Sequence, residues 1–184
     1  MGSLELGVMA GIALAAACGL RAFLPLLAVG LMARFGPIEL EASFAWLASD
    51  MALIALGVAT LFEMMGDKIP VVDHLLDFLG SVIRPAAGII AVLGVMPKMP
   101  ALIAGLIALI AGGGALGVHA MKAKARLGST VLTLGHGNAI MSVVEDFVTV
   151  GLVMAGLLAP LIAFFLIVPL LGLGLGRRPK RYNT

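Results

Sequence analysis

The sequence predicts an all-α protein, a polytopic membrane helix bundle of about six spans. Three observations carry that prediction. The 184-residue chain is 61% hydrophobic and 12% charged, against about 45–50% apolar and about 25% charged residues in a soluble domain. Its apolar stretches lack the alternation that barrel strands require. Its 24 glycines and Ala-rich runs suit helices that approach closely in lipid. So little charge cannot cover a water-facing surface, which excludes an ordinary soluble enzyme and a disordered chain. The near balance of 12 Lys+Arg with 10 Asp+Glu argues against nucleic acid as a partner. Cys18 is the sole cysteine, which excludes an internal disulfide framework and a multi-cysteine zinc site.

A span needs about 20 apolar residues. On that rule spans are expected at 4–34, 44–66, 81–97, 100–121, 138–158 and 160–176. Met1 to Glu5 holds an acid and no base, so Ala15-Ala16-Ala17-Cys18-Gly19 reads as part of a retained first span rather than a cleavage site. Gly36-Pro37 ends that span. Segment 67–80 is charged and amphipathic, opens Asp67-Lys68-Ile69-Pro70, and reads as a short interfacial or re-entrant helix. Pro97 and Pro100 bracket the next turn, and Pro160 opens the sixth span. Gly128 to Gly137 reads as a flexible connector, and 177–184 as a basic cytoplasmic tail.

On this topology one side carries Lys68, Arg84, Lys122, Lys124, Arg126, Arg177, Arg178, Lys180 and Arg181; the other carries Arg34 and Lys98 with Glu39 and Glu41. The bias predicts both termini in the cytoplasm. The chain is expected to form one transmembrane domain. Gly19-Leu20-Arg21-Ala22-Phe23 echoes Gly117-Val118-His119-Ala120-Met121, and Leu76-Asp77-Phe78-Leu79 loosely echoes Glu145-Asp146-Phe147-Val148. The echoes suggest repeat halves 1–97 and 98–176, but their offsets, 98 and 69, differ and leave the repeat open.

In hydrocarbon the informative side chains are the polar ones, since a charge at the bilayer centre costs about 2.5–3.5 kcal/mol on insertion scales. Arg21 lies deep in the first span, roughly 25 Å along its axis. Pro25 has no N–H, so it frees the Arg21 carbonyl and breaks the helix locally. Gly57, Thr60, Glu63 and Asp67 follow at spacings of 3, 3 and 4, one helical face. Asp73 and Asp77, an i,i+4 pair beside His74, repel unless a cation or shared proton lies between them; a solvated interfacial face is the plainer alternative. Asn138, Ser142, Glu145 and Thr149 recur at 4, 3 and 4, with Asp146 alongside. Such a stripe faces a bundle interior or a wet cavity, or else bonds helices together.

Six acids near the hydrophobic zone (Glu63, Asp67, Asp73, Asp77, Glu145 and Asp146) meet three bases there, Arg21, Lys68 and Arg84. The surplus must be protonated, wet or cation-bound, and oxygen ligands suit a divalent cation, Na+ or H+. Asp73, Asp77, Glu63 and Asp67 are the candidate metal ligands. His74, His119 and His136 form no metal-ligand spacing, and His119 stands out only through its echo of Arg21. Gly112-Gly113-Gly114 precedes no P-loop lysine and reads as a helix-packing site.

The segments Gly19-Leu20-Arg21-Ala22-Phe23-Leu24-Pro25-Leu26, Phe44-Ala45-Trp46-Leu47-Ala48, Glu63-x-x-x-Asp67-Lys68-Ile69-Pro70-x-x-Asp73-His74-x-x-Asp77 and Arg84-Pro85-x-x-Gly88 together resemble a bacterial family of small multi-span membrane proteins. That family is catalogued only as a domain of unknown function. The likeness extends to His119-x-x-Lys122-Ala123 and Ser142-x-x-Glu145-Asp146, so it covers nearly the whole chain. It implies the same fold, a bacterial inner membrane and the same polar residues, and names no substrate. The family's pattern carries a proline-containing, asparagine-rich stretch before the last acidic pair; Ser129 to Asn138 has no proline here, which weakens a gate-like role for that loop.

Three functions stay open. The foremost is a cation- or proton-linked transporter or channel, with no catalytic residue. Its pathway would be lined by Arg21, Glu63, Asp67, Lys68, Asp73, His74, Asp77, Arg84, His119, Asn138, Ser142, Glu145 and Asp146. A structural or accessory membrane subunit is the second. A metal-dependent enzyme acting on lipid phosphates is the third, against which stands the lack of any nucleophile–base pair. Membrane lipids are the expected partners, and Gly7-x-x-x-Gly11 could pack within one protomer or between the protomers of a homo-oligomer.

Overall fold

A computed structural model describes residues 4–36, 38–133 and 136–158. It contains α1 (Leu4–Leu20), α2 (Phe23–Phe35), a 3-10 segment (Ala42–Ala48), α3 (Asp50–Gly66), α4 (Pro70–Val95), α5 (Ala101–Thr133) and α6 (His136–Leu158). The described chain is all-helical, as expected of a membrane helix bundle. Leu75–Val95, Ala101–Thr133 and Gly137–Leu158 are long and apolar enough to cross a membrane, and the 3-10 segment with α3, bent by 64°, makes a fourth if counted as one broken span. The expected sixth span, 160–176, and the basic tail lie outside the described residues.

The helix α1 is apolar on every side, the pattern of a buried helix rather than a surface one. It forms the centre of the bundle and packs on α4, α5 and α6. Ala10, Ala13, Leu14, Ala17 and Cys18 are fully buried. Their small size lets neighbouring backbones close in. A Cβ on Gly19 would sit 2.5 Å from the Ala115 carbonyl oxygen of α5, so only glycine fits there.

The first span differs from expectation. Residues 4–34 do not form one crossing helix but a helical hairpin that reverses at Arg21–Ala22. Contacts fix the directions. Gly7 faces Pro97, Gly11 faces Val92, Ala15 faces Gly88, and the Gly19 carbonyl meets Arg84, so α1 runs antiparallel to α4. The helix α2 runs back along α3: Ala22 and Phe23 meet Glu63, Gly30 meets Leu53, and Arg34 pairs with Asp50. Gly30 also abuts Leu47, which contacts Gly94, so the far end of α2 lies beside the end of α4. Leu4 therefore starts at the end of the bundle that carries Arg34 and Lys98, not at the end of Lys122 and Lys124. The physical reason lies at the break: Pro25 offers no N–H to the Arg21 carbonyl, and side chains from α3, α4 and α5 take up the peptide groups freed there.

Two further boundaries differ. The expected interfacial helix 67–80 and the span 81–97 are one helix, α4, opened by Pro70 at its first turn, where a missing N–H costs nothing. The Gly128–Gly137 connector is largely helical: α5 continues to Thr133 and α6 begins at His136. A single Gly128 costs only about 1 kcal/mol relative to Ala within a helix.

Candidate functional site

The reversal at Arg21–Ala22 leaves peptide groups at two helix ends without intrahelical partners. Charged side chains from other helices satisfy them. At the end of α1, Arg84 Nη1 donates to the Gly19 carbonyl at 3.3 Å and Lys122 Nζ to the Leu20 carbonyl at 3.2 Å. At the start of α2, the Glu63 carboxylate accepts from the Ala22 and Phe23 N–H groups at 3.0 and 3.3 Å. Cations thus sit on the negative end of one half-helix, and an anion on the positive end of the other.

These caps belong to one buried ion cluster. The Asp67 Oδ2 accepts from Arg21 Nη1, from Lys122 Nζ at 3.2 Å and from Arg126 Nη2 at 2.8 Å. Arg21 Nη2 also lies 2.6 Å from Asp146 Oδ1 and donates to Ser142 Oγ at 3.0 Å. Glu145 takes Lys122 at 3.1 Å and Arg126 at 2.7 Å. Arg84 Nη2 stands 3.5 Å from Glu63 Oε1. Arg21, Glu63, Asp67, Arg84, Lys122, Arg126, Glu145 and Asp146 are all buried. Burial alone would push the Asp67 carboxyl up, but Lys122, Arg21 and Arg126 outweigh it and hold that carboxyl below the ordinary aspartate range.

His119 links this cluster to α4. Arginine cannot accept, so Arg84 Nη1 donates to His119 Nδ1. The ring's proton is then on Nε2, which donates to the Asp77 carbonyl at 3.1 Å. Spare hydrogen-bonding capacity remains: Arg21 Nε, Arg84 Nε, Asp67 Oδ1 and Asp77 Oδ1 are buried without hydrogen-bond partners.

Of the residues singled out in the sequence, Arg21, Glu63, Asp67, Arg84, His119, Ser142, Glu145 and Asp146 meet at this site, with Asp77 at its edge. Lys68 is exposed in the turn after α3 and does not join. Asn138 donates to Thr130 Oγ1 at 2.8 Å and only ties α6 to α5. On α3 the buried residues are Leu56, Thr60, Glu63 and Gly66, with Asp67 buried at the C-cap, whereas Gly57 faces open space. The side chains of Asp73 and His74 lie outside the described residues.

The expected surplus of acids narrows among the described residues, with Asp77 at the edge of the cluster and the Asp73 side chain outside the described residues. Lys122 and Arg126, expected at the cytoplasmic surface, are buried in the cluster, so Arg21, Arg84, Lys122 and Arg126 face Glu63, Asp67, Glu145 and Asp146: four against four. Their signal was in the sequence. His119, Lys122 and Arg126 continue the inward face of α5 at spacings of 3 and 4. Of the candidate metal set Glu63, Asp67, Asp73 and Asp77, the Asp73 side chain lies outside the described residues. Among the described residues no group of three His, Cys, Asp or Glu side chains could hold a metal ion; both Glu63 oxygens and Asp67 Oδ2 are taken by cationic and backbone donors, and Asp67 Oδ1 is not.

A family model described as "Domain of unknown function (DUF4126)" matches residues 8–177. No curated protein and no solved structure matches the chain.

Proposed function

Because the chain belongs to the DUF4126 family, whose description names no activity, its function must come from its own site, and we propose a proton-linked transporter of small solutes. One observation carries this: a re-entrant hairpin whose broken tip is held by charged side chains from α3, α4 and α5 inside a buried cluster. Non-helical backbone is tolerated at membrane depth only where protein buries it or water lines it. Half-helix ends of this kind are where transporters place solute and coupling-ion sites. A pathway of unpaired acids for bare cations is disfavoured because, among the described residues, Glu63, Asp67, Glu145 and Asp146 each have a basic neighbour.

The proposed setting is a bacterial inner membrane, with the cluster end and its exposed Lys68 and Lys124 toward the cytoplasm. A cysteine at Lys98 should then label from outside intact cells and one at Lys124 should not; the reverse pattern would invert the topology.

The transport assay uses purified protein in proteoliposomes containing a pH-sensitive dye. A panel of small organic and inorganic solutes should reveal at least one whose addition moves protons, and Arg21→Ala should abolish that response. A wild type inert to every solute would favour the rival reading of an accessory subunit locked by its ion pairs. That rival draws on the complete pairing of the eight charges, and it allows substitutions to alter stability only.

A further inference from the structure

The hydrogen bonds around His119 require a neutral ring. Arg84 Nη1 donates to Nδ1 at 2.5 Å, and the ring's own N–H, on Nε2, donates to the Asp77 carbonyl at 3.1 Å. An imidazole protonated on both nitrogens has no lone pair to offer an arginine, so this arrangement exists only while Nδ1 is bare. The same Arg84 Nη1 caps the hairpin, donating to the Gly19 carbonyl at 3.3 Å. Its other ties are loose: Nη2 stands 3.5 Å from Glu63 Oε1, Nε has no hydrogen-bond partner, and Gly80 places no side chain beside it. Ring, guanidinium and the tip of α1 thus form one chain of contacts. At its end is the side-chain type that changes charge between pH 5 and 8.

We infer that His119 is the proton-binding group of this cluster, and that a proton on its Nδ1 breaks the bond from Arg84 and uncaps the α1 end of the hairpin. The inference rests on the transporter reading and deepens it, by naming the residue that takes the coupling proton. Hydronium gives up the proton and leaves as water; one N–H bond forms on Nδ1, and the Nη1–H···Nδ1 hydrogen bond is lost. An imidazolium N–H then faces a guanidinium N–H, and two like charges away from water repel. The charged groups around the ring are Arg84 and Asp77 from α4 and Lys122 from its own α5. Glu63 of α3 stands behind Arg84, and α1 packs there through the backbone at Gly19. Charge balance gives the proton a counter-ion. Arg21, Arg84, Lys122 and Arg126 already match Glu63, Asp67, Glu145 and Asp146. Asp77 is a further acid, whose Oδ1 is buried without a hydrogen-bond partner. A proton on His119 supplies the missing positive charge beside Asp77, and Arg84 keeps Glu63 alone.

The test labels the histidines of the full-length protein with nitrogen-15 and follows them in detergent from pH 8 to 5 by long-range proton–nitrogen correlation. The His119 signal is the one lost in His119→Gln. Hydrogen exchange of residues 20–23, corrected for the intrinsic rate at each pH, is measured in parallel by mass spectrometry. At pH 8 the His119 proton should sit on Nε2. On acidification the ring should become an imidazolium, and exchange at residues 20–23 should rise about tenfold over the same interval, the size expected when a charged hydrogen bond is lost. Glutamine can still accept from Arg84 and donate to the Asp77 carbonyl, so His119→Gln should keep the fold and exchange slowly throughout. Arg84→Met should exchange fast at every pH, because the guanidinium that the proton would expel is already gone. A ring that stays neutral down to pH 5, or that carries its proton on Nδ1 at pH 8, overturns the inference in the wild type alone. So does an imidazolium with no step in exchange, or a step that persists in His119→Gln. Proton-linked flux that survives His119→Gln spares the transporter and removes this role for His119. The joint step in ring charge and exchange, with no solute moving protons in proteoliposomes, spares the proton site and removes the transporter.

Discussion

Asp67→Asn is the sharpest probe of the cluster. One Asp67 oxygen serves Arg21, Lys122 and Arg126, so the substitution leaves the buried charges at four bases against three acids. At the 3.2 Å separation from Lys122, a unit-charge attraction amounts to about 5 kcal/mol at an effective dielectric near 20. Desolvation of each ion offsets several kcal/mol of that attraction, and breaking one buried pair costs a net of about 3–5 kcal/mol. At about 2–4 °C per kcal/mol for a chain of this size, the midpoint of thermal unfolding should fall by roughly 6–20 °C. Adding Lys122→Met restores balance at three against three and replaces the ammonium stem with an apolar chain of similar length. Glu145 keeps Arg126, and Arg21 keeps Asp146. The double variant should therefore recover most of the loss, because swapping a whole buried pair for apolar groups is often close to neutral. The assay is helical circular dichroism against temperature in detergent. An Asp67→Asn midpoint equal to wild type, or a double variant that falls by the sum of the two singles, would refute the coupling.

Gly19→Ala should separate α1 from α5, since the added Cβ meets a backbone oxygen at 2.5 Å; a loss of about 1–3 kcal/mol is expected, whereas Gly117→Ala, inside α5 with open space around it, should gain up to about 1 kcal/mol in the same melt. Arg34→Ala breaks a pair with Asp50 at 2.7 Å in which both side chains are exposed, so the midpoint should move by no more than about 1 kcal/mol equivalent. Asp67 sits below its ordinary range in the fold, so its contribution is present above an unfolded pKa of about 3.9 and lost as pH falls through the lower folded value. Its share of acid destabilisation should appear only below about pH 4, as the difference between wild type and Asp67→Asn; a difference that shrinks between pH 7 and 5 would contradict the pairing.

The residues of the cluster were readable because each violated the surrounding apolar pattern. Arg21 stood in the middle of a hydrophobic run, and Ser142, Glu145 and Thr149 recurred at helical spacing. Two things were not readable from the same signals. Lys122 and Arg126 follow an apolar stretch, where basic residues ordinarily mark a membrane face, so their position masked a spacing that continues the inward stripe of α5. The reversal at Arg21–Ala22 was hidden because hydropathy does not report direction: an unbroken apolar run reads alike as one tilted crossing or as two half-helices folded back. Pro25 does signal a local break, because it frees the Arg21 carbonyl. The partners that hold that broken tip, Glu63, Arg84 and Lys122, are distant in sequence, and composition cannot supply them.

A neutral cluster at the tip of a re-entrant hairpin restricts mechanism more than an acidic one would. A bare cation entering it adds a charge that the four paired bases and acids do not balance, and a bare anion does the same with opposite sign. Both steps meet the expense of an unpaired buried charge, several kcal/mol per ion, which slows either by orders of magnitude. A neutral solute, or an anion with its proton, meets no such barrier. On the transporter reading proposed above, flux through this site should therefore be electroneutral. Clamping the membrane potential of proteoliposomes with valinomycin and graded potassium should leave the initial rate unchanged, while a pH gradient of the same free energy should drive it. For one charge moved per turnover, 100 mV would amount to about 2.3 kcal/mol, close to fiftyfold in equilibrium accumulation. A potential-driven accumulation of that size would mean that the four bases and four acids do not set the charge of the carried species.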